Sequence, residues 1–266
     1  MTSAIDELFE RTRSENRAAL VGYLPAGFPS KELSIKAIEA MVEGGVDLVE
    51  VGLPYSDPVM DGPVIQEAAS QALLAGTRPA DVFDVVRASS ATGAPTVVMT
   101  YWNPVERYGV DRFATDLAAA GGSGLITPDL IPDEGGEWIA ASHEHGLDRI
   151  FLVAPSSTDD RLAMTVGEAS GFVYATAVMG VTGAREQTSS LGEELVARVR
   201  QVTDKPVGVG LGVSNGAQAH SIAAYADAVI VGSALVRCLL DAPDEAAGCD
   251  AVRALAQDLR AGVERN

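Results

Sequence analysis

Short apolar runs alternate with amphipathic stretches from one end of the chain to the other. Eight runs rich in Val, Ile, Ala and aromatic residues read as strands: Ala18–Leu24, Val46–Val51, Thr96–Thr100, Gly124–Thr127, Arg149–Val153, Phe172–Ala175, Val207–Gly210 and Ala228–Val231. Between them lie segments of helical periodicity with start signals: Ser30 ahead of Lys31–Gly44, Asp111 ahead of Arg112–Ala120, Thr158 ahead of Asp159–Ala169, and Asn215 ahead of Gly216–Tyr225. No linker, low-complexity tract or repeat interrupts the alternation. Strands apolar on both faces that alternate with helices imply a parallel sheet covered by helices. Eight such units in about 250 residues fit a closed (β/α)8 barrel better than an open doubly wound sheet, which stays the alternative. The expectation is an α/β chain, a single TIM-barrel domain over residues 1–266 with an extra N-terminal helix.

On a barrel, reactive side chains belong at the C-terminal strand ends and in the loops that follow. Those positions hold Tyr23, Glu50 with Asp57 and Asp61, Tyr101 with Asn103, Asp129, Ser156, Tyr174 with Thr182, a glycine-rich seventh end, and Ser233. His143 and His145 precede the fifth strand and His220 lies in the helix after the seventh, so neither a histidine metal site nor a histidine base is expected. Lys205 precedes its strand, at the opposite end, which removes the nucleophile for Schiff-base chemistry. Carboxylates and tyrosines remain.

Charge narrows the partners. With 19 basic and 37 acidic residues the formal net charge is −18, which repels nucleic acid and anionic membrane surfaces. A phosphorylated substrate must then be held by local donors. Two cysteines, Cys238 and Cys249, form neither a disulfide framework nor a zinc motif and fit a reducing, cytoplasmic setting. The N-terminal stretch lacks the apolar block of a signal peptide.

Period-two alternation puts Glu50 on the face of Leu48, inside the barrel if Val49 and Val51 face the helices. Desolvation there would raise its pKa into the range of a shuttling acid/base; the alternative is a structural ion pair with an arginine. Asp61 stands in an acidic loop just before a helix opening at Pro63, where Asp-Gly-Pro is also an ordinary cap composition. Their conjunction after one strand makes them the expected catalytic pair.

From Pro206 to Val236 the chain has no Lys or Arg, yet Gly208, Gly210, Gly212, Gly216, Gly232 and Ser233 surround its last two strand ends. Backbone N–H groups and the N-terminus of a short helix opening at Ser233 would make a phosphate cradle, with Gly183 as a third edge. Small residues that merely close the barrel would look the same. The dinucleotide fingerprint is absent, because neither glycine pair has its third glycine.

The runs Glu50-Val51-Gly52-Leu53-Pro54-Tyr55-Ser56-Asp57-Pro58 and Asp61-Gly62-Pro63-Val64-Ile65-Gln66 closely resemble the signature of tryptophan synthase alpha subunits. The likeness continues through Tyr101-Trp102-Asn103-Pro104, Pro128-Asp129-Leu130, Gly180-Val181-Thr182-Gly183, Gly210-Leu211-Gly212-Val213-Ser214 and Val231-Gly232-Ser233-Ala234. What it implies is a lyase of tryptophan biosynthesis that splits indole-3-glycerol phosphate, without metal, into indole and glyceraldehyde 3-phosphate. Glu50 matches the acid/base, Asp61 the carboxylate that stabilises charge on the indole nitrogen, and Tyr174 the tyrosine lining the substrate. Tyr101 is expected to border the substrate as well. The segment Met179–Ser190 matches a mobile lid whose Thr182 reaches Asp61. The resemblance also implies a pyridoxal-phosphate beta subunit in an alpha2-beta2 heterotetramer, docked through Pro54–Met60 and Asn103–Tyr108, and no cofactor on this chain. Three positions depart from the commoner pattern: Phe28 after Gly27, Leu211 beside the phosphate glycines, and a fourth loop, Asp129-Leu130-Ile131-Pro132, that is one residue longer. A free-standing lyase, another phosphate-binding barrel such as a sugar-phosphate isomerase, and a non-enzymatic activator of the partner are the rival readings.

Overall fold

Eight parallel strands pair in chain order and close on themselves in a computed structural model that describes residues 2–176, 185–210 and 212–265. They are β1 (Ala19–Pro25), β2 (Leu48–Gly52), β3 (Thr96–Met99), β4 (Gly124–Thr127), β5 (Asp148–Val153), β6 (Val173–Thr176), β7 (Val207–Gly210) and β8 (Ala228–Val231), with β8 returning to β1. This is the (β/α)8 barrel expected from the alternation, and no strand end lies more than two residues from its sequence-based position.

The alternation within strands sorts side chains into two cores. Val21, Leu48, Val97, Ile126, Ile150, Phe172 and Ile230 fill the barrel interior. Their neighbours Leu20, Val49, Val51, Val98, Leu125, Phe151, Val209 and Val229 pack outward against the helices. Both sets are buried because a parallel barrel leaves neither face to water. Helix α1 (Ala4–Ser14) stoppers the N-terminal end: Ile5, Leu8 and Phe9 join the interior cluster, and the Phe9 ring lies 5.8 Å from that of Phe172. At the same end Arg17 grips Asp47 with two hydrogen bonds of 2.6 and 2.8 Å, and Asp47 also accepts the Leu20 N–H.

Helix starts follow the sequence signals in three of four cases. Ser30, Thr158 and Asn215 each accept a backbone N–H at the N-cap of α2 (Lys31–Glu43), α8 (Asp159–Glu168) and α10 (Gly216–Ala223). Asp111 does not cap. Helix α6 (Val110–Ala119) begins one residue before it, at Val110, with Gly109 as the N-cap, whose φ of 96° turns the chain out of α5 (Trp102–Tyr108). Val110 is buried and draws the helix start back, which leaves Asp111 as a first-turn acid bonded to His145. Of the segment Met179–Ser190, positions 185–190 belong to α9 (Arg185–Val199) and the rest lies outside the described residues. Among the described residues, no helix is long and apolar enough to cross a membrane.

Candidate active site

β2 delivers Glu50 to the interior. Val49 and Val51 face the helices, so the carboxyl points inward with Leu48, and the residue is 1% exposed. In the register its neighbours are Tyr23 on β1 and Val97 on β3, a phenol and an aliphatic group. Its Oε1 finds no hydrogen-bond partner among the described residues, and burial pushes its pKa up to about 8. Among the described residues no arginine offsets this, which weighs against the ion-pair reading of Glu50. A carboxyl in that state keeps its proton at neutrality and can release it to a bound base.

Asp61 ends the loop from β2 to α3 (Pro63–Leu74). The N-cap of α3 is Gly62, and no side chain bonds the helix start, so the carboxylate is not spent as a cap. Its backbone carbonyl accepts the Gln66 side-chain amide at 2.8 Å while the carboxylate borders the same cavity as Glu50. Partial burial raises its pKa, and the Tyr101 hydroxyl acts against that rise.

The cavity, about 200 Å³, has three sectors. Glu50, Asp61, Tyr23 and Tyr174 form the polar one; Ile65, Met99, Leu152 and Ile230 supply apolar walls; Gly210, Gly212, Gly232 and Ser233 close the far side. Tyr23, buried, and Tyr174, partly buried, are phenols whose pKa is held well above the ordinary value by loss of solvent, reinforced by the nearby carboxylates. Two glycines make room for them. A Cβ on Gly52 would sit 2.2 Å from the Tyr23 hydroxyl, and one on Gly210 would sit 2.7 Å from that of Tyr174. Gly210 thus serves the tyrosine pocket.

At the glycine side, α11 (Ser233–Leu240) starts at Gly232 with no side-chain cap, so its first N–H groups are free for an anion. Gly212 faces it with φ of 66°, a left-handed backbone in open space that lets an oxyanion approach the main chain. Gly212, Gly232 and Ser233 are therefore brought together as the cradle predicts. Thr182, Gly183 and Leu211 lie outside the described residues.

Tyr101 is placed differently from Tyr174. It does not line the cavity but stands behind Asp61, under the β2–α3 loop, where its hydroxyl accepts the Met60 N–H at 2.9 Å. Asp57 is exposed and bonded to Ser56, and Asp129 accepts the Trp102 N–H at 2.9 Å. The apolar walls were the part not named from sequence. Leu152 and Ile230 could have been found by extending the inward alternation of β5 and β8, whereas Ile65 on a helix carries no such signal.

Chemically, the site pairs a protonated buried acid with a second carboxylate able to face a developing cation, and ends in a backbone anion hole. Comparisons with known proteins agree with it over the whole chain. Residues 9–264 match the family model for the tryptophan synthase alpha chain. Curated relatives named as tryptophan synthase alpha chains include one from Salinispora arenicola, 66% identical with 98% of each chain covered, and one from Acidothermus cellulolyticus, 62% identical with 99% of this chain and 98% of the relative covered. A solved Mycobacterium tuberculosis tryptophan synthase chain superposes with a TM-score of 0.93 at 58% identity, covering all of both chains. The Legionella pneumophila alpha subunit superposes with a TM-score of 0.89 at 31% identity, with 99% of each chain covered.

Proposed function

The chain belongs to the tryptophan synthase alpha-chain family, the lyases that cleave indole-3-glycerol phosphate in tryptophan biosynthesis, and from that premise we propose how its residues divide the reaction. Glu50 protonates indole C3, which turns the ring into an indoleninium cation and makes the side-chain carbon–carbon bond a leaving bond. Asp61 holds the positive charge that develops at the ring nitrogen. The Glu50 carboxylate left by the first step then takes the proton of the side-chain hydroxyl, and the bond breaks to give indole and an aldehyde. One carboxyl serves as acid and then as base, which requires a group that changes protonation near neutral pH. The single observation that supports this division most is the burial of Glu50 without a counter-charge, beside a second carboxylate on the same cavity.

Tyr174 and the apolar walls border the indole ring, Tyr101 stands behind Asp61 outside the cavity and so acts on the loop instead of bordering the substrate as expected, and Gly212, Gly232 and Ser233 hold the phosphate through backbone donors, with Gly183 as a further expected donor. Such a cradle suits a chain of net charge −18, since it needs no cationic side chain. Thr182 is carried as the lid residue that reaches Asp61.

Alpha chains of this family work with a beta subunit, which carries the pyridoxal phosphate; this family's alpha chain carries no cofactor. We place the docking surface at the same barrel end. Val59 and Met60 in the β2–α3 loop and Ile131 after β4 expose apolar side chains there, with Val59 79% exposed. Segment Asn103–Tyr108 lies wholly within the helix α5, and its Asn103 amide bonds the Tyr55 hydroxyl at 3.1 Å, joining the two docking segments. We read the chain as one domain acting in the cytoplasm, in keeping with its two free cysteines.

The test is indole release from indole-3-glycerol phosphate by the purified chain, alone and with excess beta subunit. A slow reaction accelerated by the partner is expected. Fast release without the partner would favour a free-standing lyase, and no release in either case would refute the reading.

A further inference from the structure

Asp61 sits on a loop, and a loop does not by itself fix a carboxylate. We propose that Tyr101 is its positioning residue, clamping the loop through its phenolic oxygen while directing the hydroxyl proton at the carboxylate, and that Asp129 anchors Tyr101 from the next strand. The proposal rests on the reading of Asp61 given above.

Three contacts carry it. The Tyr101 hydroxyl accepts the Met60 N–H at 2.9 Å, so its own proton is available to a second partner. Asp61 follows Met60 directly, and its carboxylate is the side chain on which that hydroxyl acts to favour the charged form. Tyr55, from the same loop, packs its ring on Tyr101 with centroids 5.2 Å apart, which limits the phenol to this direction. Tyr101 is itself 5% exposed and begins α5, a helix with no side-chain cap of its own. Asp129 supplies the missing acceptor by taking the Trp102 N–H at 2.9 Å, so a carboxylate on the β4 loop locks the residue next to Tyr101.

Among the described residues, the groups that face Asp61 are Glu50 from β2, Tyr23 from β1, Tyr174 from β6 and Tyr101, and none of these is a cation. The Tyr101 proton is therefore the one described contact that favours an ionised Asp61, against the burial that opposes it. Chemistry requires the ionised form, because a neutral acid cannot stabilise an indoleninium charge. A phenol is a suitable donor: it holds the carboxylate in line without cancelling its charge, as an arginine would.

The experiment uses the complex with the beta subunit and compares wild type, Tyr101→Phe and Asp129→Ala. Steady-state cleavage is measured across pH, and Asp61 is titrated by carbon NMR in an aspartate-labelled chain, with Asp61→Asn identifying its signal. Tyr101→Phe, which keeps the ring, is expected to lower kcat about tenfold with KM changed less than about twofold. The acid limb of kcat/KM and the Asp61 titration should both move to higher pH, and Asp129→Ala should move them the same way by less. An unmoved Asp61 titration in both variants would overturn the proposal even if kcat fell. Should wild type fail to cleave the substrate, the functional reading fails while the titration still decides the positioning. If Tyr101→Phe does not fold, the Asp129→Ala titration decides it.

Discussion

Tyr23 and Glu50 are register partners on adjacent strands, both buried, so the carboxyl at the heart of the barrel lies beside a phenol and has no described cation to balance it. That relationship costs stability. A buried acid whose pKa rises from 4.5 to about 8 is held protonated by the fold, and the cost accrues as pH rises between those two values. Below the lower value folded and unfolded chains are both protonated and the cost vanishes.

Glu50→Gln should accordingly melt above wild type, with the difference largest at pH 8–9 and fading toward pH 4–5. Each tenfold difference in proton affinity between the folded and unfolded chain corresponds to about 1.4 kcal/mol. Thermal unfolding at three pH values checks this; a variant less stable than wild type at pH 8.5 would show that Glu50 has a stabilising partner.

The same group sets a limb of the rate profile. Glu50 must begin protonated, so kcat/KM should fall above about pH 8, and Asp61 must begin ionised, so it should fall again on the acid side above the ordinary aspartate range. A profile flat from pH 6 to 9.5 would contradict the Glu50 assignment, and an acid limb no higher than that of an ordinary aspartate would contradict the one for Asp61.

Two glycines give a steric prediction. Gly210→Ala puts a methyl 2.7 Å from the Tyr174 hydroxyl, and Gly52→Ala puts one 2.2 Å from that of Tyr23. Tyr23 is buried and Tyr174 is partly buried against the interior cluster, so neither ring has much room to yield. Each variant should lose about tenfold or more in kcat/KM. Wild-type kinetics in either would mean that the tyrosine positions do not matter to the substrate.

At the opposite end the expected effect is on stability alone. Asp47→Ala leaves Arg17, 5% exposed at its side chain, without its bidentate partner. Arg17 keeps Glu15 at 2.6 Å, so the loss should be about 1–3 kcal/mol, read in a denaturant melt, with kcat unchanged in the folded protein. A change below about 1 kcal/mol would mean that water replaces the carboxylate there.

What the sequence made legible followed from periodicity. Strict alternation on β2 placed Glu50 inside the barrel, because a one-residue slip would bury the wrong set, and the run of strand and helix signals specified a closed barrel. The gathering of Gly212, Gly232 and Ser233 around one cavity was legible from composition, since glycines clustered where cations were missing. Asp111 misled because an acid in the first helical turn has the same composition as a cap, and the burial of Val110, invisible locally, decided the start. The position of Tyr101 was not readable either. Its direction depends on the β2–α3 loop folding over it, and loop geometry has no period to read. Asp61 stood between these cases, readable as a candidate but separable from a cap only once Gly62 was seen to take that position.

The most direct test of the two-carboxylate mechanism is single-turnover cleavage of indole-3-glycerol phosphate by Glu50→Gln in complex with the beta subunit, with substrate affinity measured on the same sample. Affinity should stay within about threefold of wild type and no indole should form above background, because the amide can neither give the C3 proton nor take the hydroxyl proton. Indole formation at the wild-type rate would contradict the mechanism.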